Sequence, residues 1–319
     1  MINNHTAANV TPPCLSLHDL HTYFFTTERL VKAVQDVNLS IPSGKTVAMV
    51  GESGCGKSMT ALSILRLVPQ PGRIVSGKIN FNNEDLLQLP IEEMRRVRGN
   101  RIAMIFQDPM TALNHVFTVG NQIAEVLQHH KGLSAKLAQQ QTIELLHLVG
   151  IPNPRQRYHD YPHQLSGGMR QRVMIASALS CDPDLLIADE PTTALDVTIQ
   201  AQIMALLNEQ QQQRRMSTLL ISHDLGVVAQ NADIVAIMYD GLIVEQAPVN
   251  TIFSAAQHPY TRELLNCIPT IGQRKKRLNI RPQSESFWDN CPGDFAPHDS
   301  KIPPLQTAAN DHFVRHWNA

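Results

Sequence analysis

The stretch 51–58 constrains the fold more than any other part of the chain. It reads GESGCGKS and fits the pattern GxxxxGK[ST]. The apolar run 46–50 before it predicts a buried strand, and the apolar periodicity of 59–68 after it predicts a helix. Between a strand and a helix, a glycine-rich loop lets successive backbone N–H groups point at phosphate oxygens. We therefore predict a phosphate-binding loop in which Lys57 neutralises the β- and γ-phosphates of a nucleotide and the Ser58 hydroxyl coordinates Mg²⁺.

A second apolar run, 185–188, ends in two adjacent carboxylates, Asp189 and Glu190. Parallel sheets bind ligands at the carboxyl ends of their strands, so both acids are expected to face the nucleotide. Asp189 suits the coordination shell of Mg²⁺, and Glu190 is placed to orient and polarise an attacking water. The alternative, a pair of surface acids that merely ends a strand, fits poorly with so apolar a run.

Strand-like and helical patterns alternate along most of the chain. Further strand-like runs cover 102–106, 218–222 and 234–239, and a helical pattern covers 198–214. This alternation predicts an α/β fold with a mostly parallel sheet. Residues from about 110 to 180 are helical in pattern throughout, so we predict a helical subdomain inserted between strands of the sheet.

Composition excludes several classes of protein. Hydrophobic residues make up 43% and charged residues 17% of the chain, as in ordinary globular proteins, and a formal net charge of −1 argues against a nucleic-acid partner. The cysteines are dispersed without a CxxC pair, which favours a reducing compartment. Residues 1–11 lack the pattern of a signal peptide, and no stretch approaches the roughly 18 apolar residues of a membrane span. We expect a cytosolic protein that reaches a membrane only through partners.

The pattern divides the chain into three parts. Residues 1–13 are expected to form a disordered leader, 14–255 the nucleotide-binding domain and 256–319 a C-terminal appendage. Short alternating runs at the start of the domain, such as those in 30–41, predict strands. In the appendage, prolines recur and periodicity fades, so we expect loops and short elements. Its basic run, 274–277, is interpreted as a solvated linker, with contact to lipid headgroups as the alternative.

The motif LSGGM at 165–169 resembles the signature motif of ATP-binding-cassette proteins. The resemblance implies a P-loop NTPase fold of the ATP-binding-cassette type, and it separates this chain from P-loop kinases and GTPases. In that family Ser166, Gly167 and Gly168 would belong to a helix N-terminus that contacts the γ-phosphate held by the opposite subunit. The resemblance therefore implies a composite active site that needs a dimer.

Three more positions follow the order of the family's motifs. Gln107 resembles the loop glutamine that senses Mg²⁺ and contacts the membrane subunit. Asp196, in the sequence ALD at 194–196, resembles the loop that crosses the dimer interface. His223, in the sequence SHD at 222–224, resembles the switch histidine that contacts the γ-phosphate and the catalytic glutamate.

An aromatic residue near the start of the chain completes the resemblance. Phe24 stands where the family has a ring that stacks on adenine, and Tyr23 or Phe25 would serve if the register slips.

Taken together, the residues and the resemblance assign a role to each candidate position. Glu190, His223 and Gln107 are the expected catalytic residues, and Ser58, Gln107 and Asp189 are the expected Mg²⁺ ligands. The residues expected to contact ATP are Phe24, Gly51, Ser53, Gly54, Cys55, Gly56, Lys57, Ser58, Met59, Gln107, Ser166, Gly167, Gly168, Asp196 and His223. Cys55 is expected to contribute only its backbone N–H.

Two further stretches resemble the oligopeptide and dipeptide importer branch of the family, which also includes nickel importers. They are DPMTALN at 108–114 and HPYT at 258–261. The branch implies uptake of di- and oligopeptides, with nickel or a metal chelate as the alternative cargo. It also implies two transmembrane permease subunits, a second and different ATPase chain, and a secreted or periplasmic solute-binding protein. The chain itself would lie at the cytoplasmic face of the inner membrane as a peripheral subunit.

The chain departs from this branch in two places. His115 stands where a proline is usual. The appendage contains only Cys267 and Cys291, whereas many members carry clustered cysteines that bind an iron–sulfur cluster. Such clusters usually need four thiolates, so none is expected here.

Two other classes of function fit the sequence less well. Soluble cassette ATPases that act on ribosomes or DNA generally carry two cassettes or a long coiled-coil insertion, together with basic surfaces, and this chain has none of these. A regulatory paralogue without ATPase activity should have lost Lys57 or Glu190, and both are present.

Overall fold

The chain is described from a computed structural model that covers residues 12–193, 195–267, 302, 304–309 and 311–316. The strands are β1 (Leu15–Phe25), β2 (Leu30–Ile41), β3 (Thr46–Val50), β4 (Gly72–Phe81), β5 (Glu84–Asp85), β6 (Ile102–Ile105), β7 (Leu185–Asp189), β8 (Ser217–Ile221), β9 (Ile234–Tyr239), β10 (Leu242–Pro248), β11 (Leu305–Ala309) and β12 (His312–Arg315). The α-helices are α1 (Lys57–Ile64), α2 (Ile91–Val97), α3 (Pro109–Ala112), α4 (Val119–Lys131), α5 (Ala135–Leu148), α6 (Pro154–Arg157), α7 (Gly167–Leu179), α8 (Val197–Arg214), α9 (Leu225–Asn231), α10 (Val249–Ala255) and α11 (Pro259–Asn266).

An eight-stranded sheet forms the centre of the molecule, in the order β11-β12-β10-β9-β3-β8-β7-β6. The strands from β9 to β6 run parallel, and β10, β12 and β11 are antiparallel. Every residue of β3, β7 and β8 is buried, as expected for strands covered on both faces. The prediction of an α/β fold with a mostly parallel sheet is confirmed.

Two hydrophobic clusters cover the two faces of this sheet. Ala48 and Val50 belong to one cluster, whereas Val47 and Met49, the alternate residues of β3, belong to the other. Successive side chains of a strand point to opposite faces, so β3 contributes to both cores. This double burial holds the end of β3 rigidly, and that end leads directly into the loop 51–58.

A second, antiparallel sheet has the order β2-β1-β4-β5. The two strand-like runs predicted within 30–41 lie in one continuous strand, β2, which includes Asp36 at a φ of +45°. Of the predicted leader, only Pro12 and Pro13 are among the described residues, and the Pro12 carbonyl accepts a hydrogen bond from Ser43.

All elements between β6 and β7 are helical, which confirms the helical character predicted for this part. They are α3 to α7 and a 3₁₀ helix, Pro162–Gln164. Several begin at a hydroxyl cap: Thr118, Ser134 and Ser166 each accept a backbone N–H of the first turn of α4, α5 and α7, respectively. Within the described ranges, no helix is both long and apolar enough to cross a bilayer.

The C-terminal residues are part of the central sheet. β12 pairs with β10, and β11 pairs with β12 at the edge of the sheet. The sequence predicts loops and short elements here, but it does not predict that β11 and β12 join the central sheet. Arg315 is fully buried, where its Nη1 donates to Asp36 at 2.9 Å and its Nε donates to the Ile243 carbonyl at 2.9 Å. The basic run 274–277 and Cys291 lie outside the described residues.

Candidate active site

The loop 51–58 connects the buried end of β3 to the start of α1, as the sequence predicted. A Cβ atom on Gly51 would lie 2.1 Å from the Met238 carbonyl oxygen. Gly56 has a φ of +112°, and a Cβ atom there would lie 2.2 Å from the Ala33 carbonyl oxygen. Both positions require glycine, because any side chain would collide with backbone. α1 begins at Lys57 and ends at Ile64, so it starts earlier and is shorter than the predicted helix over 59–68.

The Lys57 side chain folds back over this loop. Its Nζ donates to the carbonyl oxygens of Gly51 and Glu52, each at 2.8 Å, and lies 3.6 Å from the Sγ of Cys55. The side chain is buried, so the loop holds its positive charge at a fixed position. Burial raises the pKa of the Cys55 thiol, which keeps the thiol protonated and leaves its backbone as the group available to a ligand.

Asp189 ends β7 with its carboxyl group beside Ser58. The side chain is only 4% exposed, and its Oδ1 is buried without a hydrogen-bond partner among the described residues. Burial raises the pKa of Asp189 above its ordinary value, and the hydrogen bond to Ser58 and the charge of Lys57 offset burial only in part. A buried carboxylate oxygen that lacks a donor, next to a hydroxyl, fits a hard divalent cation such as Mg²⁺.

Glu190 follows directly and is held by three side chains. Its Oε2 accepts hydrogen bonds from Gln107 Nε2 at 2.9 Å and from Thr193 Oγ1 at 2.8 Å. Its Oε1 lies 3.1 Å from Nδ1 of His223. The backbone of Glu190 has a φ of +48°, a left-handed conformation that is sparsely populated by residues other than glycine. The Glu190 N–H is anchored to the Ile221 carbonyl at 2.9 Å.

These contacts determine the charge of the Glu190 carboxyl group. Burial, the largest influence, raises its pKa. Hydrogen bonds from Thr193 and His223, with the positive charges of His223 and Lys57, outweigh burial, so the pKa lies below its ordinary value. Glu190 is therefore ionised at neutral pH and keeps a fixed orientation.

The topology of the sheet explains why these residues meet. Gln107, Glu190 and His223 each follow the carboxyl end of a strand, and those strands, β6, β7 and β8, are neighbours. Residues far apart in sequence therefore converge at one edge of the sheet. Thr193 was not among the predicted site residues, although it stands three positions after Glu190 and carries a hydroxyl.

Ser166, in the signature motif, and Asp196, in the sequence ALD, each cap a helix. Ser166 caps α7 by accepting the Met169 N–H at 3.3 Å, and Asp196 caps α8 by accepting the Ile199 N–H at 2.9 Å. A Cβ atom on Gly167 would have no neighbour within 4 Å in the described ranges. These two hydrogen bonds cap α7 and α8. Neither bond reaches the Glu190 cluster, which consists of Gln107, Glu190, Thr193 and His223. Ala194 lies outside the described residues.

Each of the three aromatic candidates for adenine stacking contacts a different residue. The Phe24 ring packs over Gly72, where an added Cβ would lie 2.7 Å from the ring. The guanidinium of Arg73 lies 4.1 Å from the centroid of Phe25, and Lys32 Nζ lies 5.9 Å from that of Tyr23. Phe24 stays the predicted adenine contact.

Comparison with known proteins identifies the family. A family model described as "ABC transporter" matches residues 34–193, and one described as "Oligopeptide/dipeptide transporter, C-terminal region" matches residues 244–293. The chain is 47% identical over 314 residues to the dipeptide transport ATP-binding protein DppD of Bacillus subtilis. The aligned region covers 95% of this chain and 94% of DppD. It is 50% identical over 290 residues to the oligopeptide transport ATP-binding protein AppD of the same organism, which covers 90% and 88% of the two chains.

Solved structures agree with the sequence comparison. The ATP-binding cassette MJ0796, in a dimeric post-hydrolysis state bound to ADP and Pi, superposes with a TM-score of 0.68 at 26% identity and covers 74% of this chain and 98% of that one. The fold of this chain is therefore that of an ATP-binding cassette. The chain belongs to the ATP-binding subunits of ABC transporters, and its C-terminal region is that of the oligopeptide/dipeptide transporters.

Proposed function

We propose that this chain hydrolyses ATP to drive the uptake of di- and oligopeptides through a membrane transporter. The observation that carries the proposal is the Glu190 carboxylate, which is ionised, oriented by Gln107, Thr193 and His223, and next to Asp189. An oriented carboxylate beside a phosphate-binding loop is the arrangement that phosphoryl transfer to water needs.

Each residue has a distinct task in this proposal. Backbone N–H groups of the glycine loop and the ammonium of Lys57 bind the β- and γ-phosphates. Ser58, Asp189 and Gln107 would hold Mg²⁺, which neutralises phosphate charge when bound. Glu190 polarises the attacking water, and His223 keeps the carboxylate oriented. Because these groups are fixed before substrate arrives, little reorganisation is required during the reaction.

We further propose that two subunits complete each site. Gly167 lies at the N-terminus of α7, where no described residue fills the space in front of it, so the backbone there is accessible to phosphates bound by a second subunit. MJ0796, a relative of known structure, is a dimer bound to ADP and Pi. In this chain's transporter the second ATPase subunit is proposed to be a different protein.

The cargo and the remaining partners follow from the peptide branch. The relatives compared above are named for dipeptide and oligopeptide transport, which favours peptides over nickel. We propose two permease subunits, a solute-binding protein that delivers the peptide, and a peripheral position at the cytoplasmic face of the inner membrane. The adenine-stacking role of Phe24 and the domain boundaries at 14–255 and 256–319 are part of the same proposal.

A reconstituted transporter tests this function. Proteoliposomes would contain the permeases and both ATPase chains, with the solute-binding protein added, and they would be offered labelled short peptides or labelled Ni²⁺. ATP-dependent accumulation of peptide is expected, and the Glu190→Gln variant should abolish it while the exposed control Glu93→Gln retains it. Accumulation of Ni²⁺ without peptide would contradict the proposed cargo.

Binding of ATP itself is tested on the full chain alone. Lys57→Ala should lose most of its affinity for Mg-ATP, because it removes the cation that contacts the phosphates. Unchanged affinity would contradict the proposed role of the loop.

A further inference from the structure

Helix α11, in the C-terminal part of the chain, contacts the phosphate-binding loop. Tyr260, the second residue of α11, is fully buried, and its hydroxyl oxygen lies 3.1 Å from the backbone nitrogen of Glu52. The Glu52 N–H donates this hydrogen bond. Residues 208 positions apart in sequence are joined at the start of the loop.

The same peptide group is held at its other end by Lys57. Glu52 N–H and Gly51 C=O belong to one peptide plane, and the Gly51 carbonyl accepts a hydrogen bond from Lys57 Nζ at 2.8 Å. The plane is thus fixed between a phenol on one side and the ammonium group on the other. Rotation of this peptide would shift the acceptor that holds the Lys57 charge.

Packing around Tyr260 leaves its ring little freedom. The ring centroid lies 4.6 Å from that of Tyr239, the last residue of β9. The neighbouring residue, Met238, presents the carbonyl oxygen against which Gly51 packs. Tyr260 and the end of β9 therefore hold the first two residues of the loop between them.

A buried polar cluster fixes the direction of α11. The carboxylate of Glu245, on β10, accepts the backbone N–H groups of Gln257 at 2.7 Å and His258 at 3.1 Å, and its Oε1 lies 2.8 Å from Nε2 of His312. The side chain of His258 caps α11 by accepting the Tyr260 N–H at 3.2 Å.

The charge state of this cap is constant. Burial, with the nearby charges of His316 and Arg315, lowers the pKa of His258 to about 3. The imidazole is therefore neutral at physiological pH, and its Nδ1 has the lone pair that the cap requires.

We propose that Tyr260 is a positioning residue for nucleotide binding: its hydroxyl, through the Gly51–Glu52 peptide, sets the position of the Lys57 ammonium. This inference rests on the proposed role of Lys57 in binding ATP. The C-terminal region would then influence the ATP site through a chain of contacts. Glu245 on β10 holds the start of α11, and Tyr260 on α11 holds the loop.

The test removes one oxygen atom. Tyr260→Phe keeps the ring against Tyr239 and deletes the acceptor of the Glu52 N–H. The Kd of the full chain for Mg-ATP, measured by calorimetry, is expected to rise about two- to ten-fold, the effect of one lost hydrogen bond. In the assembled transporter KM for ATP should rise in parallel, whereas kcat stays close to that of the unmodified protein because the Glu190 cluster is untouched.

The matched control is Tyr158→Phe, which removes the hydroxyl that bonds Asn121 at 3.2 Å in the helical part of the chain. It makes the same chemical change away from the loop and should leave the Kd for Mg-ATP unchanged. A Tyr260→Phe variant that melts at a lower temperature but binds Mg-ATP normally would show a purely structural role and overturn the inference. Lys57→Ala is measured alongside to separate the role of Tyr260 from that of Lys57. If Lys57→Ala loses affinity and Tyr260→Phe does not, only the role of Tyr260 is wrong. If Lys57→Ala retains affinity for Mg-ATP, the proposed role of Lys57 is wrong as well.

Discussion

Asp189 and Glu190 are adjacent in the chain, but the pKa values of their carboxyl groups are displaced in opposite directions. Burial raises the pKa of Asp189, whose Oδ1 receives no hydrogen bond from the part of the chain that the structure describes. For Glu190, hydrogen bonds and positive charges outweigh burial and lower the pKa. At the end of β7 the protein thus compensates the negative charge of Glu190 more fully than that of Asp189, which agrees with the proposed role of Asp189 as a Mg²⁺ ligand.

This difference predicts that Asp189→Asn stabilises the nucleotide-free protein. The substitution keeps the shape of the side chain and removes a charge that burial disfavours. We expect the free energy of unfolding at neutral pH to rise by an amount on the order of 1 kcal/mol, as at other sites where stability is sacrificed for function. Urea denaturation of the full chain measures this change, and the affinity for Mg-ATP should fall in the same variant.

The pH dependence follows from the sign of the shift. The folded-state pKa of Asp189 lies above the unfolded-state value, so the unfolded chain ionises first as pH rises. Its contribution to stability is therefore present in acid and lost as pH rises through the folded-state pKa. The gain in unfolding free energy from Asp189→Asn should therefore develop as pH rises from the unfolded-state pKa to the folded-state pKa. At lower pH, where Asp189 is protonated in both states, the gain should vanish. Equal stabilisation by the exposed control Glu93→Gln, or a gain that persists in acid, would contradict this explanation.

Gly167→Ala tests the composite site. Gly167 is the first residue of α7 and does not have a positive φ, and no described residue occupies the space where a Cβ would lie. Alanine should therefore stabilise the isolated chain by about 0.4–1 kcal/mol through the entropy of the unfolded state. In the assembled transporter the added methyl group would stand between the helix N-terminus and the phosphates of the second subunit. Turnover is expected to fall on the order of 10²-fold, the effect of a misplacement of about 1 Å.

Thermal denaturation and ATPase assays of the same variant distinguish the possibilities. A more stable chain with unchanged turnover in the assembled transporter would mean that Gly167 does not face a nucleotide. Gly51→Ala is the contrasting variant, because its Cβ would collide with the Met238 carbonyl and should destabilise the isolated chain.

The parts of the site that the sequence predicted are those with strict chemical requirements. A phosphate loop needs glycines at fixed spacing, and the acids Asp189 and Glu190 follow an apolar strand. Thr193 was missed because a hydroxyl in a loop has no distinctive pattern. Tyr260 was noticed only as part of a branch motif, since a contact between residues 208 positions apart leaves no periodic signal.

The C-terminal strands were missed for a related reason. β11 and β12 are short, and the residues of β12 are partly polar, as His312 and Arg315 show. Both polar side chains are buried because Glu245 and Asp36, from distant parts of the chain, bind them. Sequence patterns assign polar residues to the surface, so partners that neutralise them in the core become visible only in three dimensions.

The appendage should contain no iron–sulfur cluster. Cys14, Cys55 and Cys181 are buried, and Cys267 is exposed. With Cys291, the appendage has two thiols, fewer than the four that such clusters usually require. Protein purified without oxygen should lack the visible absorbance of a cluster and contain no stoichiometric iron. A brown preparation with about four irons per chain would contradict this prediction.

The turnover of Glu190→Gln in the assembled transporter tests whether Glu190 is the residue that activates water. Glutamine keeps the size of the side chain and an acceptor oxygen for Gln107 and Thr193, but lacks the charge that polarises water. ATP affinity should be retained, unlike in Lys57→Ala, and the closed dimer should accumulate with ATP because repulsion with the γ-phosphate is reduced. We expect kcat to fall by about 10²–10⁴-fold, the usual contribution of a general base. Near-normal turnover of Glu190→Gln would contradict the catalytic role of Glu190 and the mechanism built on it.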